Sequence, residues 1–147
     1  MKLFTCNIQV RWADLDPNFH VRHSAYYDFG AFCRIEFFNQ HGLTAHFMQQ
    51  QGFGPILFRE EAVFKREIKA NDTLTLDMHL LKSTPDYSRW TIQHHLYKNT
   101  DTLAAVITVD GAWMDVAKRK LTLPPAIAQE AFEAITKNES FTWTHQL

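Results

Sequence analysis

Two aspartates and two histidines, Asp14, Asp16, His20 and His23, fall within the ten-residue run D-L-D-P-N-F-H-V-R-H. A carboxylate can attack a carbonyl carbon directly or draw a proton from water, and an imidazole can carry protons. The same four residues can be read as metal-ligand types spaced D-x-D-x3-H-x2-H. A single irregular loop is a poor cage, so no metal is expected there. Asp16 precedes a proline, and Asp-Pro also initiates turns; that structural reading stays open beside the chemical one. Asp14 is expected to be structural, paired with Arg11 or Arg22.

The elements around this run decide what it can do. Phe4, Cys6, Ile8 and Val10 alternate, which predicts a first strand over residues 4–12. Pro17 breaks that pattern, and a loop runs to about His23. Ser24 is a good N-cap type and Gly42 a stop, so a helix is expected from Ser24 to about His41. On a helical wheel Asp28, Glu36 and Arg34 fall at about 0°, 80° and 240°. Scattered charges between apolar residues predict a helix surrounded by protein. Gly30 in its middle predicts a close backbone approach. An acid held just before such a helix lies near free N–H groups at the positive end of the dipole.

The rest reads as strands. Residues 56–70 follow a turn at Gly52 to Pro55. Leu74, Leu76, Met78 and Leu80 alternate, as do Trp90, Ile92, His94 and Leu96, and a long strand runs over 103–114. Lys118 to Pro125 is a basic turn into a last amphipathic helix over about 125–136. One helix that must be covered, with about five strands in meander order, predicts an α+β fold: an antiparallel curved sheet wrapped around one long buried helix.

Bulk numbers set limits. The 147 residues suit a single domain over 1–147, with 46% hydrophobic and 21% charged residues. A formal net charge of -1 gives no electrostatic case for nucleic acid. Cys6 and Cys33 have no zinc-ligand spacing, and no run approaches the ~18 apolar residues of a membrane span. A cytoplasmic protein without a membrane span is the expectation. Twelve Phe and a 14% aromatic share need a core or an interface to cover them, which favours a homodimer.

The segment R-W-A-D-L-D-P-N-F-H-V-R-H-S-A-Y-Y from Arg11, then R-I-E-F-F from Arg34, resembles the hotdog-fold acyl-CoA thioesterases of the 4-hydroxybenzoyl-CoA thioesterase family. Those proteins carry R-[YFW]-x-[DE]-x-D, a loop often ending G-H-V-N-N, and a helix reading like Y-L-x-x-F-E-E-A-R-I-E-F. The segment F-K-R-E-I-K-A-N-D-T-L-T-L from Phe64 resembles their strand-turn-strand. The resemblance implies a homodimer or homotetramer that hydrolyses acyl-CoA or another acyl thioester, with no retained cofactor. It implies Asp16 as the catalytic aspartate and the backbone N–H of His23 as the group polarising the carbonyl. His20 matches the frequent loop histidine, and His20, Ser24 and Tyr27 are the expected substrate-binding residues. Phe19, Arg22 and His23 depart from the family loop, and Ala31-Phe32 stand where its helix has a Glu-Glu pair. The alternatives are a non-catalytic acyl-CoA-binding hotdog protein and a hydratase or dehydratase on the same fold. His94 and His95 fall on opposite strand faces and are read as structural. Lys65-Arg66 and Lys118-Arg119-Lys120 are either solvated charges or contacts to coenzyme A phosphates.

Overall fold

The computed structural model describes residues 2–145. Met1, Gln146 and Leu147, the ends of the expected 1–147 unit, lie outside the described residues. The chain runs β1 (Thr5–Ile8), a 3-10 turn (Trp12–Asp14), α1 (Ala25–Gln40), α2 (Ala45–Gln51), β2 (Phe53–Phe64), β3 (Leu74–Asp77), β4 (His79–Ser83), β5 (Arg89–Lys98), β6 (Thr102–Asp115), β7 (Lys120–Leu121), α3 (Ala126–Glu133) and β8 (Lys137–Trp143). β3 and β4 act as one bent strand, since both pair with β5 on the same side. The main order across the sheet is β2, β6, β5, β3/β4 and β1, every pair antiparallel. This is the hotdog fold, a curved sheet wrapped around a long helix, as the sequence predicts.

The alternating side chains of the strands explain the packing. Leu74, Leu76, Met78 and Leu80 are buried together with Trp90, Ile92 and Leu96 and with Ile107 and Val109 of β6. They share one core with Phe29, Cys33, Phe37 and Phe38 of α1. Each such side chain contributes about 2 kcal/mol when fully removed from water. At one end Phe132 of α3 packs against Trp90, Trp113 and Phe38, with ring centroids 5.2, 5.6 and 6.1 Å away. This cluster absorbs much of the aromatic excess. Gly111 makes it possible: a Cβ there would sit 2.3 Å from Trp90 Cη2 and 2.7 Å from the Ile56 carbonyl oxygen.

Several expectations change in detail. β1 ends at Ile8 rather than Trp12, because only Thr5 to Ile8 find partners on β3. β2 starts at Phe53 and stops at Phe64, short of Ala70; Pro55 is tolerated because β2 has β6 on one side only. α1 is not surrounded within one chain: Asp28, Phe32 and Ile35 remain exposed, while Arg34 is buried. The nearest neighbours of Gly30 are side chains rather than a backbone. Its missing Cβ makes room for side chains, Arg34 Nη1 at 3.2 Å, Ile107 Cγ2 at 3.3 Å and His94 Cδ2 at 3.4 Å. Helix α2 and strand β8, parallel to β4, were not anticipated.

Candidate functional site

The loop between β1 and α1 is built by its own polar groups. The Asn18 and His20 N–H groups donate to Asp16 Oδ1 at 2.9 and 3.1 Å, an Asx turn that closes on itself. The Asp16 N–H donates to the His20 carbonyl at 2.8 Å, and Phe19 sits between them at φ 63°. The Val21 N–H then reaches the Ile68 carbonyl at 2.8 Å, and His20 bridges to Lys69. These bonds pin the loop against the chain that leaves β2, and the gap between them is the cleft.

Asp14 lies two residues away and is used differently. It is fully buried, with Oδ1 2.8 Å from Arg11 Nη2 and Oδ2 accepting the Arg11 N–H at 2.9 Å. Burial pushes its carboxyl up, but the Arg11 hydrogen bonds outweigh that and hold it below the usual carboxylate range. Its partner is thus Arg11, while Arg22 donates to the Ala13 carbonyl.

Asp16, His20 and His23 line one open cleft of about 440 Å³ together with Tyr26, Lys65 and Arg66. Among the described residues, Asp16 Oδ2 receives no hydrogen bond, and the His23 and Ser24 N–H groups donate to no partner. A residue with an unspent carboxylate oxygen, Asp16, and one with an unspent amide at the helix start, His23, therefore line the same cleft. Such an arrangement can place a carbonyl against N–H donors and an oxygen nucleophile beside it. His20 Nε2 lies 3.5 Å from Glu67 Oε2 at the opposite wall.

Of the expected substrate-binding residues, His20 is in the cleft. The Ser24 hydroxyl accepts from Arg22 Nη1, and Ser24 and Tyr27 are not among the lining residues. The neighbouring Tyr26 lines it instead, because the helix turns about 100° per residue and only one of the adjacent tyrosines can face that side. Sequence reasoning reads Tyr26 mainly as packing and does not single out Glu67. The basic pair Lys65-Arg66 does reach the cleft, whereas Lys118-Arg119-Lys120 do not line it.

A second polar group runs through the core. His94, fully buried, holds its Nε2 3.1 Å from Arg34 Nη1 and its Nδ1 2.8 Å from the Asp77 carbonyl oxygen, so Nδ1 carries the proton and donates. Burial, then the Arg34 charge, push this imidazole down to about 3. Arg34 Nη2 lies 3.9 Å from Glu60 Oε2. His95 points the other way, out of the core, as strand alternation requires.

Residues 10–132 match the Thioesterase-like superfamily. No curated protein matches the chain. Among solved structures, a hypothetical protein from Staphylococcus aureus in complex with CoA is 20% identical with a TM-score of 0.82, covering 95% of this chain and 91% of that one. A 1,4-dihydroxy-2-naphthoyl-CoA thioesterase from Synechocystis is 17% identical with a TM-score of 0.81, over 90% of this chain and 97% of that one. A DHNA-CoA thioesterase from Staphylococcus aureus is 15% identical, with a TM-score of 0.81 and 90% of each chain covered. At these identities the likeness concerns the fold. The match over most of the chain, together with a helix wrapped by a curved sheet, means that this protein belongs to the Thioesterase-like superfamily.

Proposed function

We infer that the protein hydrolyses an acyl thioester of coenzyme A to a free acid and a thiol. The observation that carries this reading is the cleft lined by Asp16 and His23, with Asp16 Oδ2 and the His23 N–H both unspent and the unspent Ser24 N–H next in the chain. The thioester carbonyl oxygen would accept from those amides, where one such donor is worth ~3 kcal/mol in the transition state. Asp16 would either add to the carbonyl carbon or take a proton from an adding water. In both routes the carbon–sulfur bond breaks, the thiolate leaves and gains a proton, and water supplies the oxygen of the acid. Lys65 and Arg66 on the same cleft suit the phosphates of coenzyme A, and the CoA complex of the Staphylococcus aureus neighbour supports that carrier.

The working form proposed is a homodimer or homotetramer. Leu57, Phe58, Val63 and Phe64 are exposed along the unpaired side of β2, a strand edge that a soluble monomer would leave open to pairing. Among the described residues no helix is long and apolar enough to cross a membrane. A panel of short, long and aryl acyl-CoA esters, assayed for free thiol with wild type and Asp16→Asn, tests the reading. Release by wild type and its loss in Asp16→Asn are expected. Binding of acyl-CoA without thiol release in wild type would favour a non-catalytic binding protein, and hydration of an enoyl ester would favour a hydratase.

A further inference from the structure

We propose that Asp77, His79 and His95 form a binding site for one divalent transition-metal ion of the zinc class, on the face of the sheet turned away from α1. Leu76, Met78 and His94 point inward, so the alternating Asp77, His79 and His95 point outward. The pairs Leu76 with Leu96 and His79 with Gln93 set Asp77 opposite His95 across the strands. Side chains so opposed meet at the junction of β3 and β4, where the regular ladder is interrupted.

The three groups converge on one oxygen. His79 Nε2 and His95 Nδ1 each lie 3.0 Å from Asp77 Oδ2. The donor atoms of all three residues fall within 4.8 Å of one another, and among the described residues this is the one such convergent group. Tetrahedral zinc with ligands at about 2.1 Å needs donor atoms roughly 3.4 Å apart, so the two Asp77 contacts would open by a few tenths of an ångström around the ion, with the imidazole nitrogens already within 4.8 Å of each other. Two imidazoles and one carboxylate are ligands for zinc, cobalt, nickel or copper rather than for calcium or magnesium.

The carboxylate is also held as a ligand must be. Asp77 Oδ1 accepts the His95 backbone N–H, which fixes its plane and leaves Oδ2 to face the histidines. His79 Nδ1 has no hydrogen-bond partner among the described residues, so only Asp77 decides which nitrogen of that ring carries the proton. The His79 and His95 side chains are 17% and 24% exposed, which gives an ion a way in and solvent as a fourth ligand. Binding would replace the protons that now join the imidazoles to Oδ2, and each neutral ring would then carry its proton on the nitrogen turned away from the ion. The bound ion would tie β4 to β5 where their backbone bonds lapse. None of the three residues lines the Asp16 cleft.

Titration of metal-free protein with Co2+, read by visible absorption, tests the proposal. Wild type should take up one equivalent with the intense bands of a four-coordinate site, and Zn2+ should bleach them. His79→Gln and His95→Gln, made separately, should each weaken binding about 100-fold or more. His46→Gln, on exposed helix α2, should bind like wild type. Circular dichroism on the same samples shows that each variant is folded. Absence of cobalt bands in wild type, or unchanged affinity in folded His79→Gln and His95→Gln, overturns the site.

Discussion

Asp16 and Asp77 each hold a carboxylate beside histidines, yet their surroundings have opposite consequences. Asp77 is 5% exposed and spends both oxygens, Oδ1 on the His95 backbone and Oδ2 on two imidazoles. Burial pushes its carboxyl up, and the His95 bonds reverse that and hold it low. Asp16 is half-buried, spends Oδ1 on its own loop and keeps Oδ2 for the cleft. The same residue types thus build a closed cross-strand clasp in one place and an open reactive corner in the other. What separates them is how much hydrogen-bonding capacity the fold leaves unused. Asp14 repeats the lesson within the same loop, since Arg11 uses both of its oxygens.

The contrast can be broken by substitution. Asp16→Asn keeps an oxygen for the Asn18 and His20 N–H groups, so thiol release should fall about 10³-fold while the melting temperature stays put. Arg34→Ala acts on the spent side: it strips His94 Nε2 of its partner and leaves a gap beside Gly30. It should lower unfolding free energy in urea by about 3 kcal/mol. Asp14→Ala takes the acceptor from the half-buried Arg11 N–H and empties a buried site, and should cost about 1 kcal/mol, with kcat of the folded protein within a few-fold of wild type.

Acid should sharpen the picture further. His94 stays neutral in the fold down to about 3, whereas the unfolded chain takes up that proton below about 6.5. Stability from this residue is therefore complete above pH 6.5 and falls as the pH drops toward 3, by about 1 kcal/mol per pH unit. His94→Asn should flatten that slope in urea titrations from pH 7 to 4. An unchanged slope would mean that other groups set the acid limb.

Much of the frame was legible because its causes are local. Alternation in 74–80 and 90–96 gave strands on their correct faces, and Ser24 and Gly42 bracketed α1 to within a residue. What stayed hidden depends on pairing at a distance. β8 reads K-N-E-S-F-T-W with no clean alternation, since it is a largely exposed strand whose order comes from β4. Arg34 read as one of the scattered charges of a covered helix, but its partners, Glu60 and His94, lie far away in sequence. The Asp16, His20 and His23 run lines one cleft, but its opposite wall, Phe64 to Ile68, is brought to it by the Val21 to Ile68 bond, which no local pattern shows. The Asp77-x-His79 spacing on a strand was a visible signal for the outer cluster. Only register could add His95 to it.

The central claim is geometric, and a crystal structure of Asp16→Asn with a bound acyl-CoA tests it most directly. The account predicts the thioester carbonyl oxygen about 3 Å from the His23 or Ser24 N–H, with the carbonyl carbon beside residue 16. A thioester seated away from the start of α1, with the residue 16 side chain turned to open water, would contradict it.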